Sequence, residues 1–197
     1  MPEYDADALT PRENARIIKS AVTPRPIAWI STVGQNGVDN LAPFSSYNYI
    51  SSDYPVVLFN TPNEDHGGLR DTARNALEVG EFAVNIVTEE WIEAMDHTSA
   101  SLEPDESEFD AVGIERAECT AIEPPRVADA PITMECELYD HLEVHDRIVI
   151  LGEVVHYHVD ESTMRDGKVD SRELPTVGRL GGPYYTVSRP VEFERQF

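Results

Sequence analysis

Two long segments of alternating hydrophobicity constrain the fold of this chain more than any other feature. They run from Ile132 to Val144 and from Arg147 to Val159, and only His145-Asp146 lies between them. Alternation with a period of two residues is typical of β-strands, and so short a connection can join only antiparallel neighbours. The sequence therefore predicts a long β-hairpin in the second half of the chain.

Shorter strand-like runs occur in the first half. Ile27 to Val33 is rich in β-branched and aromatic residues, and the turn-forming stretch Gly34 to Gly37 follows it. We expect the chain to return along Asn40 to Ile50, where Pro43 cannot donate to a β-ladder and so marks an edge or a bulge. Two further strands are predicted, at Pro55 to Asn60 and at Phe82 to Val87.

Helical and loop patterns separate these strands. A helix is predicted from Leu69 to Leu77, ended by Gly80, and a second helix follows Thr88, whose side chain can cap it. The polar segments expected as loops are Thr61 to Gly68 and Ser99 to Asp110. Because short strands predominate over helices, we predict a mainly β fold, an antiparallel barrel with helical insertions. No linker rich in Gly or Ser divides the chain, so residues 1–197 are expected to form one domain.

The charge of the chain limits its partners. It carries 37 Asp+Glu against 15 Lys+Arg, a formal net charge of −22, and the sequence shows no cluster of basic residues. Such a surface repels phosphate backbones and anionic headgroups, so we expect neither nucleic acid nor a membrane as a partner. Only Lys19 and Lys168 are lysines. Acid excess with so little lysine indicates a halophilic, haloarchaeal source, where salt screens the repulsion between carboxylates, and the alternative is an acidic protein from an ordinary cell.

Three further patterns bear on location and metal binding. Neither a signal peptide nor a membrane-spanning run is evident, so a cytoplasmic protein is expected. Cys119 and Cys136 are too far apart for a CxxC element and are expected to be half-buried thiols. His156-x-His158 could place two imidazoles on one side of a strand, but no third ligand stands at a telling spacing. We therefore expect no metal, and surface histidines instead.

One constellation in the first half carries chemistry. GxGxxG, P-loop and GxSxG motifs do not occur, which argues against the commonest nucleotide-binding designs and against one class of hydrolase. The remaining features are the hydroxyls that end Arg25 to Thr32, the facing run Leu41 to Asn48, and Arg70-Asp71-Thr72 at a helix start. An Arg, a Thr hydroxyl and free helix N–H groups suit a phosphate, while Pro43 and Phe44 suit a heteroaromatic ring. The sequence thus predicts an anion site beside a flat apolar slot.

At these residues the chain resembles the flavin reductase-like proteins, which have the FMN-binding split barrel. The matching segments are Arg25 to Val33, Gly37 to Asn48, Arg70 to Val87, His145 to Val155 and Arg179 to Thr186, which together span nearly the whole chain. The resemblance implies a six-stranded antiparallel Greek-key split barrel with helical insertions. It also implies FMN, bound non-covalently at the interface of a homodimer.

The same resemblance implies roles for individual residues. The floor and the ribityl-phosphate side of the flavin are expected at Trp29, Ile30, Ser31 and Thr32. The backbone groups expected at the isoalloxazine edge belong to Ala42, Pro43, Phe44, Ser45 and Ser46. The residues expected at the ribityl chain and the phosphate are Asn60, Arg70 and Thr72, with Asp71 capping the helix or holding Arg70. The candidates for meeting the nicotinamide or covering the flavin are His145, Tyr184 and Tyr185.

The function implied by the resemblance is the transfer of a hydride from NADH or NADPH to FMN. Reduced flavin would pass its electrons to free flavin, to oxygen or to a partner oxygenase. Because the cofactor carries this chemistry, no catalytic side chain is expected. The alternatives are a flavoredoxin-like electron carrier reduced by a protein partner, a non-catalytic flavin-binding protein, and a barrel that binds no flavin.

Overall fold

The structure is a computed structural model that describes residues 1–66, 68–103 and 105–194. Gly67 and Pro104, which fall in two of the predicted loops, lie outside the described residues, as do the last three residues of the predicted domain 1–197. The strands are β1 (Arg25–Pro26), β2 (Ala28–Val33), β3 (Asp39–Phe44), β4 (Asn48–Ser51), β5 (Val56–Pro62), β6 (Glu81–Ile86), β7 (Arg116–Ala117), β8 (Arg126–Val127), β9 (Ile132–Val144), β10 (Arg147–Val159), β11 (Met164–Arg165), β12 (Lys168–Val169), β13 (Val177–Arg179) and β14 (Tyr185–Val187). The helices are α1 (Pro11–Ala21), α2 (Asp71–Val79), α3 (Ile92–His97) and α4 (Glu108–Val112), with 3₁₀ turns at Ala6–Ala8, Glu64–His66, Glu89–Trp91 and Glu161–Thr163.

The main sheet is antiparallel and contains the predicted hairpin. Its strand order is β3-β2-β6-β9-β10-β5-β4, and β9 pairs with β10 from Val144–Arg147 at the turn to Ile132–Val159 at the far end. Within the described ranges this sheet has seven strands, so the expected six is wrong by one. The reason is that the predicted return Asn40 to Ile50 divides in two: β3 pairs with β2, whereas β4 pairs with β5. Pro43 lies in β3, which is an edge strand, as its missing N–H predicts.

The sheet curls until its two ends meet. The rings of Phe44, at the end of β3, and Phe59, on β5, lie 4.9 Å apart between centroids. Next to them the Ser46 hydroxyl donates to the carbonyl of Asn60 at 2.6 Å. These contacts join the β3 edge to β5, so the predicted mainly β barrel with helical additions is confirmed.

Two apolar cores form because β2 is buried on both faces. One core includes Ile30, Phe59 and Phe82, and the other includes Trp29 and Phe109. Side chains alternate between the faces of a strand, so neighbouring residues of β2 enter different cores. No helix in residues 1–66, 68–103 or 105–194 is long and apolar enough to cross a membrane.

The helices differ from the sequence expectations in several places. α1 was not predicted, although Thr10 and Glu13 form a capping box at its start. Thr88 donates to the Glu90 carboxylate instead of capping a helix. The expected loop Ser99 to Asp110 runs into α4, because Phe109 is fully buried in a core. α2 ends as predicted at Gly80, whose φ of +86° suits glycine.

Candidate functional site

A groove runs along the edge strand β3 and has a volume of about 240 Å³. Its walls come mainly from β3, the start of α2 and the segment that follows α3, and Thr61 of β5 and Glu108 of α4 complete it. The lining residues are Asn40, Ala42, Pro43, Phe44, Thr61, Arg70, Asp71, Thr72, Thr98, Ser99, Ala100, Ser101, Leu102 and Glu108. The structure therefore brings Ala42, Pro43 and Phe44 together with the Arg70-Asp71-Thr72 triplet, as the sequence predicted. We call this cavity the β3 groove.

A cation and open backbone donors meet at one end of the β3 groove. Arg70 precedes α2 in an extended conformation, so the helix begins at Asp71 and not at the predicted Leu69. The exposed guanidinium of Arg70 donates to the hydroxyl of Ser101 at 3.4 Å. Among the described residues no side chain caps α2, which leaves the N–H groups of its first turn open. Asp71 pairs with Arg74, so it neither caps the helix nor holds Arg70.

A buried polar network lies beneath this end of the groove. The Thr72 hydroxyl donates to Oδ1 of Asn40 at 2.6 Å, so its proton is not directed at the groove. Nδ2 of Asn40 donates to Glu108 at 2.8 Å, and the N–H of Leu41 donates to the same carboxylate oxygen at 3.0 Å. Burial raises the pKa of Glu108, and the nearby charge of Asp71 adds to the effect, although these hydrogen bonds oppose it. The network fixes α2 and α4 against β3.

Trp29 holds the wall of the β3 groove from behind. Its side chain is buried, and its Nε1–H donates to the Thr98 hydroxyl at 2.9 Å. Thr98 in turn donates to the carbonyl of Met95, at the end of α3. The wall residues Ser99 to Leu102 follow directly. Trp29 therefore positions this wall and does not form the floor of the groove.

Ile30, Ser31 and Thr32 also lie behind the groove. All three are fully buried: Ile30 packs in a core, Ser31 donates to the carbonyl of Pro125 at 2.5 Å, and Thr32 accepts from Asn75 at 3.1 Å. Their side chains have no free surface, so the expected floor and ribityl-phosphate contacts do not come from these side chains. Burial on both faces of β2 is the reason.

A smaller cavity of about 190 Å³ continues the groove beyond Pro43 and Ser99, which line both. Ser45 faces this cavity together with Arg179 and Tyr185. The guanidinium of Arg179 lies over the ring of Tyr185, 4.4 Å from its centroid. The Tyr185 hydroxyl donates to Asp96 at 2.5 Å, and both burial and this carboxylate raise the pKa of Tyr185. A second cation thus stands at the other end of the site.

The remaining predicted residues lie outside these two cavities. The Ser46 hydroxyl donates to the carbonyl of Asn60, and Nε of Arg147 donates to Oδ1 of Asn60 at 3.0 Å. His145 is exposed at the tip of the β9–β10 hairpin, where its carbonyl accepts from Asn63 at 3.0 Å. Tyr184 is exposed and lines a different cavity, on the side of α1.

Three contributions to the site were missed from the sequence. The segment Ser99 to Leu102 was interpreted as a solvated loop, yet it forms a wall of the groove. Glu108 was part of the same loop, and only the apolar Phe109 and Val112 beside it signal a buried helix there. Arg179 is distant in sequence from the other site residues, so no local sequence pattern could predict that it lies beside them.

A cluster of potential metal ligands lies elsewhere, on the barrel. Cys119, Glu135 and His158 place their ligating atoms within 4.8 Å of one another. The Glu135 carboxylate already accepts from two backbone N–H groups, at 2.7 and 2.6 Å, and contacts Nε2 of His158 at 2.5 Å. Burial raises the pKa of Cys119 to about 12 in the protein without a metal, so its thiol is protonated there. The absence of a metal stays a prediction.

Comparison with known proteins agrees with this architecture. Residues 20–173 match the family described as "Flavin reductase like domain". A protein of Aquifex aeolicus is 35% identical over 184 residues, which cover 93% of this chain and 91% of that one. YwrF of Bacillus subtilis is 36% identical and aligns over 92% of each chain.

Solved structures show the same fold. Nitrilotriacetate monooxygenase component B from Bacillus cereus superposes with a TM-score of 0.92 at 31% identity, over 99% of this chain and 98% of that one. The 2-nitrobenzoate 2-nitroreductase NbaA of Pseudomonas fluorescens superposes at 0.87 and 30%, over 100% and 98%. Flavoredoxin of Desulfovibrio vulgaris superposes at 0.75 with 21% identity, over 89% and 92%, a likeness of fold alone.

Proposed function

Because the chain belongs to the flavin reductase-like family, we propose that it is an FMN-dependent oxidoreductase that takes a hydride from NADH or NADPH. The observation that carries this proposal is the β3 groove itself, with Arg70, which forms no ion pair within the described part of the chain, at one end and an apolar strand edge along its length. A cytoplasmic location, where both nicotinamides occur, fits this activity.

The residues of the groove fit a phosphate monoester. Arg70 belongs to no ion pair among the described residues, and it stands beside the open N–H groups of α2 and the hydroxyl of Ser101. A cation and helix N–H groups together donate strong hydrogen bonds to the oxygens of a phosphate. We assign the FMN phosphate to Arg70 and to the backbone N–H groups of Asp71 and Thr72, since the Thr72 hydroxyl is bound to Asn40.

The edge strand fits the ring of a flavin. The N–H of Leu41 points away from β2 to Glu108, and in a strand every second residue points to the same side. Pro43 therefore offers a carbonyl toward the groove but no N–H. This carbonyl can accept from the polar edge of an isoalloxazine, while Phe44 supplies apolar surface. When bound, the flavin supplies the redox chemistry, and this chain binds it, orients it and leaves one face open to the donor.

An exposed apolar surface supports a dimer. Apolar residues are exposed on β4 and on the distal half of the β9–β10 hairpin, among them Tyr49, Ile50, Tyr139 and Leu142. We propose that a second copy of the chain covers this surface and completes the site. Light scattering should give about twice the chain mass of 22.0 kDa, and a monomer that holds FMN would contradict this.

Anaerobic reduction tests the proposed activity. The purified protein, loaded with FMN, is mixed with NADH or with NADPH in the absence of oxygen, and the flavin absorbance is followed. We expect rapid bleaching with at least one donor. Slow bleaching with both would favour an electron carrier reduced by a protein, or a flavin-binding protein without catalysis. A preparation that stays colourless after addition of FMN would contradict every flavin function.

A further inference from the structure

Helix α1 carries a cationic face that the linear sequence conceals. Arg12, Arg16 and Lys19 are spaced by four and three residues, which places them on one side of the helix. They line a cavity of about 750 Å³ together with the turn Leu180 to Tyr184. We call this the α1 cavity. The expectation of no basic cluster is therefore wrong in three dimensions, because the cluster forms only when the chain is helical.

These three cations have no acidic partner. Within the described residues none of them is in an ion pair or donates a side-chain hydrogen bond, in a chain with 37 Asp+Glu. Like charges one helical turn apart destabilise a helix. α1 buries no residue, so packing does not compensate for this repulsion. An unpaired cationic face in so acidic a chain indicates that an anion binds there.

The cationic face is held firmly against the turn. Arg25 donates to the carbonyls of Lys19 at 2.6 Å and of Leu180 at 3.0 Å, which ties the end of α1 to the turn. The approach is close: a Cβ added to Gly181 would lie 2.9 Å from the hydroxyl of Ser20. Gly182 has a φ of +67°, which favours glycine at this tight turn. The backbone that carries the three cations is therefore held beside the turn, so the two walls of the α1 cavity are preformed.

An aromatic ring lies beside the cations. Tyr184 is 67% exposed, and its ring packs beside Gly182 in the wall of the α1 cavity. An exposed tyrosine offers a face on which a planar base can stack, while arginine and lysine neutralise phosphates. The N–H groups of Gly181 and Gly182 have no partner among the described backbone hydrogen bonds and can add to the phosphate contacts. This combination suits an adenosine phosphate.

The α1 cavity lies close along the chain to the proposed flavin site. Arg179 lines the smaller cavity that continues the β3 groove past Pro43. The next residue, Leu180, lines the α1 cavity. A dinucleotide could place its nicotinamide at the flavin and its other half across the β13–β14 hairpin. The volume of about 750 Å³ falls within the usual range of ligand pockets, about 300–1,000 Å³.

We propose that the α1 cavity binds the adenosine diphosphate half of the nicotinamide donor, with its phosphates on Arg12, Arg16 and Lys19 and its adenine on Tyr184. This inference rests on the proposed function, because it names the part of the donor that the flavin site does not hold. Tyr184 thus contacts the adenine, and does not cover the flavin.

Calorimetric titration with ADP-ribose tests the site separately from reduction, since ADP-ribose lacks the nicotinamide. The FMN-loaded protein is compared with the variant R16Q/K19Q and with the control R165Q/K168Q, which also removes two exposed cations but from β11 and β12, outside the lining of the α1 cavity. At equal ionic strength we expect R16Q/K19Q to bind ADP-ribose at least about tenfold more weakly and to show a raised KM for the nicotinamide donor with unchanged kcat. R165Q/K168Q should behave as the parent. Tighter binding of 2′-phospho-ADP-ribose than of ADP-ribose would identify NADPH as the donor.

The stacking contact has its own readout. Y184A should weaken the binding of ADP-ribose but leave the affinity for inorganic pyrophosphate unchanged, since pyrophosphate has no base. Equal ADP-ribose affinity in the parent and R16Q/K19Q, or an equal loss in R165Q/K168Q, would overturn the assignment of this site. If a nicotinamide bleaches the flavin and the variants change neither ADP-ribose affinity nor KM, the result contradicts the adenosine site but not the proposed function. ADP-ribose binding that responds to the variants, in a protein that no nicotinamide bleaches, supports the site and contradicts the proposed function.

Discussion

The side-chain amide of Asn40 donates to the buried carboxylate of Glu108 at 2.8 Å, directly beneath the β3 groove. The same oxygen of Glu108 accepts the N–H of Leu41. Glu108→Ala should therefore leave two donors unsatisfied and lower the free energy of unfolding by about 1–3 kcal/mol. Glu108→Gln is the matched control, because its amide oxygen can accept both bonds. Urea unfolding measures the free energy of unfolding of the two variants. Equal losses in both would show that the loss does not come from these two hydrogen bonds.

The charge of Glu108 also predicts a pH dependence. Because burial raises its pKa in the folded state, folding favours the protonated form. The stabilising contribution is present below the unfolded pKa, about 4.3, and is lost as pH rises through the folded pKa. The stability of Glu108→Gln relative to the parent should therefore be greater at pH 7 than near pH 4.5. A difference that does not change with pH would contradict the raised pKa.

Arg70 provides a direct test of the phosphate assignment. A charge-assisted contact contributes roughly 1.5–3 kcal/mol, so Arg70→Ala should weaken FMN binding by about ten- to a hundred-fold. Riboflavin lacks the phosphate and should bind parent and variant alike. Arg74→Ala is the control on the same helix, because Arg74 is already paired with Asp71. Fluorescence titration at matched salt measures the affinities of all three proteins for both ligands, and an equal loss for riboflavin would show that Arg70 is structural.

The Cys119 thiol should be unreactive in the folded protein. Burial, followed by the charge of Glu135, raises its pKa to about 12, and Cys136 is fully buried. Since the thiolate is the reactive form, Ellman's reagent at pH 8 should react at least about a hundred-fold more slowly than after unfolding. The raised pKa also predicts that this group's contribution to stability is lost as pH rises above about 8.5. One fast-reacting thiol per folded chain would contradict the burial of Cys119.

Salt should stabilise this protein strongly. Carboxylates crowd locally as well as overall: Asp71, Glu78, Glu103 and Glu106 line one cavity beside α2. The screening length falls from about 30 Å at 0.01 M salt to about 3 Å at 1 M, so self-repulsion at a net charge of −22 should decline over this range. The melting temperature should therefore rise with potassium chloride but not with a non-ionic osmolyte of equal osmolality. A flat melting temperature would remove the halophilic interpretation and leave the flavin proposal intact.

The sequence by itself determined the strands of the main sheet, apart from the division of Asn40 to Ile50 into β3 and β4, because alternation and turn residues act locally. The β9–β10 hairpin needs only its own residues and a two-residue turn, and Gly80 ends α2 by its own conformational freedom. The resemblance placed Arg70 and Pro43 correctly in one groove. These features depend on neighbours in the chain.

Only the tertiary structure decided which side chains face the groove. Ile30 and Thr32 follow Trp29 in a strand that looks accessible in the sequence, yet packing on both faces of the sheet buries all three. Arg16 and Lys19 form a basic face only because the chain is helical there. Burial and convergence depend on elements that are distant in sequence, and no local pattern records what packs against a residue.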